Sequence, residues 1–300
     1  MDVERLRMLR ELADRGTVHA AAEAMSLTSS AVSQQLKRLQ REVGLELLEP
    51  DGRRLRLTEA GKVLVARADE VLAALDRARA DMDVLRTTPR GTVRVAMVPS
   101  AAVLLLPGLI TEAAAIDVQV IGRDIDQPAA DALALLADYD VVVVDRDERD
   151  ASDWSPRIDA TLLFRETLEI VLRPDHHLAD SEHIALHELA HCPWISVGIG
   201  HMVDDVLRSL AVQTGISPRI IQRINDFRVV EELVLAGVGV ALLPRYTTTS
   251  GTLVRKPVDG VEVARRVEAV TRAGAVARPS VAAVIDILTD LAEQLVAERH

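Results

Sequence analysis

The chain reads as an α/β protein: an all-α head with a small wing, one long linker helix, and a body of alternating strands and helices. Three observations predict this. Residues up to Leu57 give short amphipathic helices and then a hairpin pattern. The stretch from Thr58 to Arg86 has no proline, and its only glycine falls in the first turn. From Thr92 onward, short β-rich apolar runs alternate with helical stretches, the order expected of a parallel-sheet α/β architecture.

In the head, Val3 to Arg15 forms a first helix with Leu6, Leu9, Leu12 and Ala13 inward, ended by Gly16. Thr17 caps a second, Val18–Met25, whose run of alanines lets another helix approach closely. Met25-Ser26-Leu27 allows only a tight turn, and Thr28 caps a third helix, Ser29–Val43. Val32, Leu36, Leu39 and Val43 make its buried stripe, while its other faces carry Ser29, Ser30, Ser33, Gln34, Lys37, Arg38 and Arg41. No acidic residue occurs from Thr28 to Arg41, although the chain carries a net charge of −11. A short helix, a turn and a polar-faced second helix is the helix-turn-helix pattern, whose second helix lies in the DNA major groove. The amide of Gln34 matches an adenine edge. Leu45–Leu48 and Leu55–Leu57 flank Pro50-Asp51-Gly52-Arg53-Arg54, a hairpin that sets Arg53 and Arg54 at its tip to reach a minor groove or a phosphate.

The long helix would extend ~43 Å at its ordinary rise. Leu64, Ala68, Val71, Leu75, Ala78, Met82 and Leu85 alternate steps of four and three, a seam of three heptads that predicts a coiled-coil homodimer rather than a helix packed only on its own domain. Two reading heads imply a pseudo-palindromic duplex site. Thr87 to Gly91 forms the linker. Beyond it, residues 93–98, 118–121, 141–144, 169–172, 194–197 and 220–224 read as buried strands. Helices are expected at Ala101–Ala114, Pro128–Ala137, Met202–Gln213, Val229–Ala236 and Pro279–Arg299.

Composition narrows the classes. Aromatic residues make up 2% of the chain against 49% hydrophobic overall, so the cores are aliphatic. The single cysteine, Cys192, excludes an intramolecular disulfide and fits a reducing cytoplasm. The charged N-terminal segment lacks the apolar stretch of a signal peptide, and no run suggests a membrane span, so a cytoplasmic protein with no membrane partner is expected. A net charge of −11 excludes non-specific coating of nucleic acid, but residues 1–60 hold ten basic and ten acidic residues, and Thr28 to Leu57 holds six and four. Duplex binding must be local, dimer-assisted and salt-dependent.

These residues resemble the LysR-type transcriptional regulators. Ala21-Ala22, the Ser-rich stretch from Ser29 to Lys37, and Gly52-Arg53-Arg54 through Leu57-Thr58-Glu59-Ala60-Gly61 match the family's N-terminal signature. Leu104-Leu105-Leu106-Pro107, Tyr139-Asp140-Val141, Asp175 to Ala179 and Ala236 to Pro244 match landmarks of its effector domain in order. The chain departs from the family at Leu48 and Pro50, where Phe and Arg are usual, at His19, and in a short segment between Ile110 and Asp117. The resemblance implies a winged helix-turn-helix domain (1–58), a linker and dimerisation helix with hinge (59–90), and a two-lobed effector domain similar to type II periplasmic binding proteins (91–300). Lobe I would comprise about 91–164 and 267–300, and lobe II about 165–266. It further implies binding to double-stranded DNA at Thr28, Ser29, Ser30, Ser33, Gln34, Lys37, Arg38, Arg53 and Arg54, control by a small-molecule effector, and tetramers, which are usual in the family.

Open α/β sheets bind ligands beyond the carboxyl ends of their strands. Here that points to Ser100 and Ala101, Ser196 and Val197, Asp226 and Phe227, and Pro244 and Arg245. Ser100 serves equally well as a helix cap, and Arg245 suits a carboxylate effector or a plain surface ion pair. Asp226 in the same cleft discourages anions, so the sequence leaves the charge of the effector open.

A competing pattern is His187-Glu188-Leu189-Ala190-His191, formally that of a zinc peptidase. Pro193 stops the helix that such a site requires, and no third ligand is clearly signposted, with Glu231 and Glu232 left open. His183 and Cys192 widen the cluster without fixing a geometry. The expectation is a regulator with no catalytic residue, metal or cofactor. The alternative is a ligand-binding protein or peptidase whose N-terminal domain only dimerises.

Overall fold

The computed structural model describes residues 1–51, 54–84, 91–150, 152–246, 251–260 and 262–299. In the head, α1 (Val3–Arg15), α2 (Val18–Ala24) and α3 (Ser29–Val43) close around one aliphatic core that includes Leu9, Leu12, Ala21, Val32, Leu36 and Leu39. A side-chain oxygen starts each helix: Asp2 accepts from the Glu4 N–H, Thr17 from that of Ala20, and Thr28 from that of Ala31. α3 ends on Gly44 at φ 74°, a left-handed cap that costs glycine nothing.

The wing is an antiparallel pair, β1 (Leu48–Asp51) and β2 (Arg54–Leu57), with Leu48 opposite Leu57 and Asp51 opposite Arg54. Leu47 turns into the head core, and Gln40 Oε1 holds the Leu47 and Leu48 N–H groups at 3.1 and 3.0 Å. Pro50 faces Leu55, a position that a two-stranded ribbon with open edges tolerates.

The long helix α4 (Glu59–Val84) is anchored by Thr58, whose hydroxyl accepts from the Gly61 N–H at 3.0 Å and donates to the Glu46 carbonyl at 2.7 Å. The backbone comes so close here that a Cβ on Gly61 would lie 2.1 Å from the Leu47 carbonyl oxygen. Val65, Ala68 and Leu72 are buried. This changes the expected seam: Ala68 belongs to the head core, while Val71, Ala78 and Met82 are exposed. One helical period supports two adjacent stripes, and the first turns spend theirs on the head. Leu85 lies outside the described residues.

The body follows as β3 (Gly91–Met97), α5 (Pro99–Ala115), β4 (Val118–Asp124), α6 (Ala132–Leu135), β5 (Val141–Asp147), β6 (Ile158–Leu172), β7 (Pro193–Ser196), α7 (Met202–Thr214), β8 (Arg219–Arg223), α8 (Phe227–Leu235), β9 (Val240–Pro244), β10 (Val254–Lys256), β11 (Ala264–Arg272) and α9 (Pro279–Arg299). Strands run in the order β4-β3-β5-β11-β6-β9-β7-β8, with β10 also pairing β6. In lobe I, α5 and α9 pack Leu105, Leu109, Val284 and Leu288 on Val95 and Met97; in lobe II, α7 packs Leu207 and Leu210 with Trp194 and Leu242.

The expected parallel pairing is found where β3 meets β4 and β5, and where β7 meets β8 and β9. Between these groups the sheet is antiparallel, because β6 and β11 pass from one lobe to the other side by side. Their register shifts at Val267/Glu268, beside Phe164. The helix expected at Pro128–Ala137 is instead a 3-10 turn, Ala129–Asp131, followed by the single turn of α6.

At the crossing, the fully buried Arg265 bonds Glu166 at 2.6 Å and Asp145 at 2.8 Å, and donates to the Ser100 hydroxyl at 2.8 Å. The other Glu166 oxygen accepts from the Tyr246 N–H. Burial by itself opposes the Arg265 charge, but Glu166 and Asp145 more than offset it and hold the guanidinium above its usual range. The head docks on lobe I through ion pairs: Arg15 with Asp138 at 2.7 Å, Arg157 with Asp14 at 2.9 Å and with Asp69, and Arg272 with Asp14.

Candidate functional site

Two surfaces carry the residues singled out by the sequence. On α3, Ser30, Gln34, Lys37, Arg38 and Arg41 are exposed, whereas Ser29 and Ser33 are half-buried. Ser30, Gln34, Lys37 and Arg41 recur at helical spacing and form one stripe opposite the buried Val32, Leu36 and Leu39. Thr28 is the cap of this helix, its hydroxyl 3.2 Å from the Ala31 N–H. Arg53 lies outside the described residues; Arg54 opens β2. Gln40 was missed by the sequence reading: facing inward, it ties the wing to the reading helix.

The second surface is a cavity of about 750 Å³ between the lobes. Ser100, Val197, Asp226 and Phe227 line it. Ala101 and Ser196 do not; both are buried within the lobes. Ser100 is not the cap of α5, which follows Val98 and starts with Pro99; its hydroxyl accepts from Arg265 instead. Pro244 ends β9, and Arg245 lines a separate cavity with His183, Glu169 and Glu262. Arg245 is not among the residues that line the interlobe cavity: its N–H donates to the Thr167 carbonyl where β9 returns along β6 toward the crossing.

Charge in the interlobe cavity is organised by aspartates. Arg146 bonds Asp150 at 2.8 Å, Arg149 bonds Asp147 at 2.7 Å, Arg228 bonds Asp226 at 3.1 Å, and the buried Arg265 reaches Asp145 from behind. The Ser152 hydroxyl, Arg146 and the Ser152 N–H hold the Asp150 carboxyl down at about 2, and Arg228 draws the Asp226 carboxyl below its usual range. Polar contacts cross the cavity: Asp126 of lobe I accepts from Asn225 Nδ2 at 2.5 Å and lies 3.2 Å from His201 Nδ1, both in lobe II.

The segment from His187 to His191 forms only a 3-10 turn, Leu186–Leu189, and Glu188 is spent on the Ala185 N–H at 2.8 Å. Among the described residues, no three His, Cys, Asp or Glu side chains group to hold a metal ion. Burial pushes the Cys192 thiol up.

A winged helix-turn-helix head joined to a two-lobed domain with a cavity at its crossing defines a DNA-binding regulator with a ligand-binding module. Residues 3–62 match the family described as bacterial regulatory helix-turn-helix protein, lysR family, and residues 86–293 match the LysR substrate binding domain. The chain belongs to the LysR family of transcriptional regulators. It is similar to the transcriptional dual regulator GltC of Bacillus subtilis, 27% identical over 272 residues that cover 89% of each chain. It is also similar to the transcriptional regulator ShiR of Corynebacterium glutamicum, 28% identical over 286 residues that cover 90% of this chain and 92% of that one. In fold it is similar to a full-length OxyR variant from Pseudomonas aeruginosa, with a TM-score of 0.67 at 19% identity, covering 97% of this chain and 94% of that one. Full-length CbnR in complex with its target DNA gives a TM-score of 0.53 at 19% identity, covering 97% and 100%. The families and relatives are regulators, not enzymes.

Proposed function

We propose that residues 1–58 read a pseudo-palindromic duplex as one half of a homodimer, that 59–90 supply the pairing helix, and that 91–300 sense a small molecule between the lobes. The observation that carries the reading is the acid-free, exposed stripe of Ser30, Gln34, Lys37 and Arg41 on α3. Gln34 matches an adenine edge, Lys37, Arg38 and Arg41 neutralise phosphates, Thr28, Ser29 and Ser33 hold the helix start against the backbone, and Arg53 and Arg54 serve the wing. CbnR has been captured on its target DNA, and the same docking suits this head. Val71, Ala78 and Met82 offer the exposed apolar side of α4 to a second copy, and pairing of dimers through the bodies would give a tetramer. No described helix is long and apolar enough to cross a membrane, in keeping with a cytoplasmic setting for a DNA-bound regulator.

Ser100, Val197, Asp226 and Phe227 would contact the effector, with Ala101, Ser196 and Pro244 shaping the lobes behind them. The test is an electrophoretic shift on the DNA upstream of the chain's own gene. Wild-type protein should give a discrete shift that competitor DNA does not remove, and Gln34→Ala with Lys37→Ala should abolish it. Specific binding that survives both substitutions would move the reading surface elsewhere.

A further inference from the structure

We propose that the effector of the interlobe cleft is an organic cation, an amine or guanidine carried on a compact apolar body. This rests on the reading of the cleft as the sensing site and adds the chemical class of its ligand. Arg146, Arg149 and Arg228 each already hold a carboxylate of their own lobe, and Arg265 behind the wall holds two. An incoming carboxylate would have to share a guanidinium with one of these partners. The fork of Arg149 is occupied by Asp147 through Nε and Nη2, and its Nη1 is buried.

The surplus is acidic. Asp124 and Asp126 line the cavity from the end of β4 with no arginine at ion-pair distance among the described residues. Asp205, from α7, lies 3.6 Å from an Arg208 nitrogen that also serves Asp204. Among the described residues Asp126 is met only by the amide of Asn225 and the ring of His201, so the contact between the lobes places a carboxylate where a ligand cation would sit. Low-dielectric walls concentrate the field of such unbalanced charge and draw in the opposite sign. No three of these groups converge as metal ligands do, which favours an organic cation over a metal ion. The remaining wall is apolar, with Val98, Val103, Met202, Val203 and Phe227 available to a hydrocarbon or aryl body.

The experiment compares three probes of one shape, benzylamine, benzyl alcohol and benzoate, by calorimetry and thermal shift on the full chain in buffer of physiological salt. Benzylamine should bind saturably and raise the melting temperature, benzyl alcohol should bind far more weakly, and benzoate should not bind. Asp124→Asn with Asp126→Asn should weaken benzylamine about ten-fold, the worth of one lost charge-assisted bond. Saturable binding of benzoate in preference to benzylamine would overturn the charge assignment while leaving the cleft as the sensing site. A benzylamine response unchanged in the double variant would place the amine elsewhere and also overturn it. Absence of saturable binding by all three would overturn both the assignment and the reading of the cleft.

Discussion

Arg157 Nη2 donates to Asp14 Oδ1 at 2.9 Å, joining the body to the head across 143 positions of sequence. The Asp14 carboxylate is fully buried and also takes Arg272, so two guanidinium groups from the end of β11 and the approach to β6 close on one acid of α1. Asp14→Asn should lower stability by about 2 kcal/mol, since it leaves two largely buried cations to share Asp69 alone. Asp138→Asn, at an acid 58% exposed, should change stability by less than about 0.5 kcal/mol. Urea unfolding of the two variants checks the contrast; equal losses would count against a buried clamp.

Arg265→Met should cost about 3–5 kcal/mol, because Glu166 and Asp145 would remain charged and uncompensated at the crossing. Arg265→Lys should recover little of this, since an ammonium cannot reproduce the fork that meets Glu166, Asp145 and Ser100 together. Equilibrium unfolding of both variants decides it. Full rescue by lysine would mean that net charge alone matters there.

Lys37→Ala should weaken operator and non-operator DNA alike and reduce the slope of log affinity against log salt by about one. Gln34→Ala should cost about 1–3 kcal/mol on the preferred site and relax preference at one base pair. Titrations at several salt concentrations separate the two roles.

Asp150 supplies an acid-limb prediction. Its folded value lies at about 2 against an ordinary 3.8, so folding gains from the ionised form. A depressed carboxylate contributes fully above its unfolded value, and the contribution is lost as pH falls from about 4 through about 2. Asp150→Asn should therefore flatten the decline of melting temperature over that window while lowering the plateau at neutral pH. Parallel decline in the variant would assign the acid limb to other groups.

Gly61→Ala should destabilise the head by at least about 2 kcal/mol, because the new methyl group meets the Leu47 carbonyl at 2.1 Å and neither backbone is free to move. Circular dichroism melts, with loss of the DNA shift at the melting point, would show it. Unchanged melting would require that α4 already sits farther from the wing.

The head was largely legible because its determinants are local. Thr28 caps the helix it precedes, Val32, Leu36 and Leu39 share one face, and Gly44 ends the helix where the pattern stops. The crossing was not legible. β11 reads Ala-Arg-Arg-Val-Glu-Ala-Val, which a search for apolar runs passes over, yet Arg265 is fully buried and Glu268 nearly so. Their burial depends on Glu166, Asp145, Arg146 and Trp154, more than a hundred positions away in most pairs, so no window of sequence contains the reason. The same non-locality sets the surroundings of Arg245, whose N–H donates to the Thr167 carbonyl on β6. Ser100 was found as a cleft residue, but its partner Arg265 lies 165 positions away.

Among the described residues, every ion pair that joins the head or α4 to the body ends on Asp138, Arg157 or Arg272, and none on the second lobe. Head and first lobe thus form one lever arm, and the strands that cross beside Arg265 are its pivot. Bending there would swing the second lobe past a head that stays seated. Whatever touches the outer side of that lobe, a neighbouring subunit above all, would feel the ligand before the DNA does.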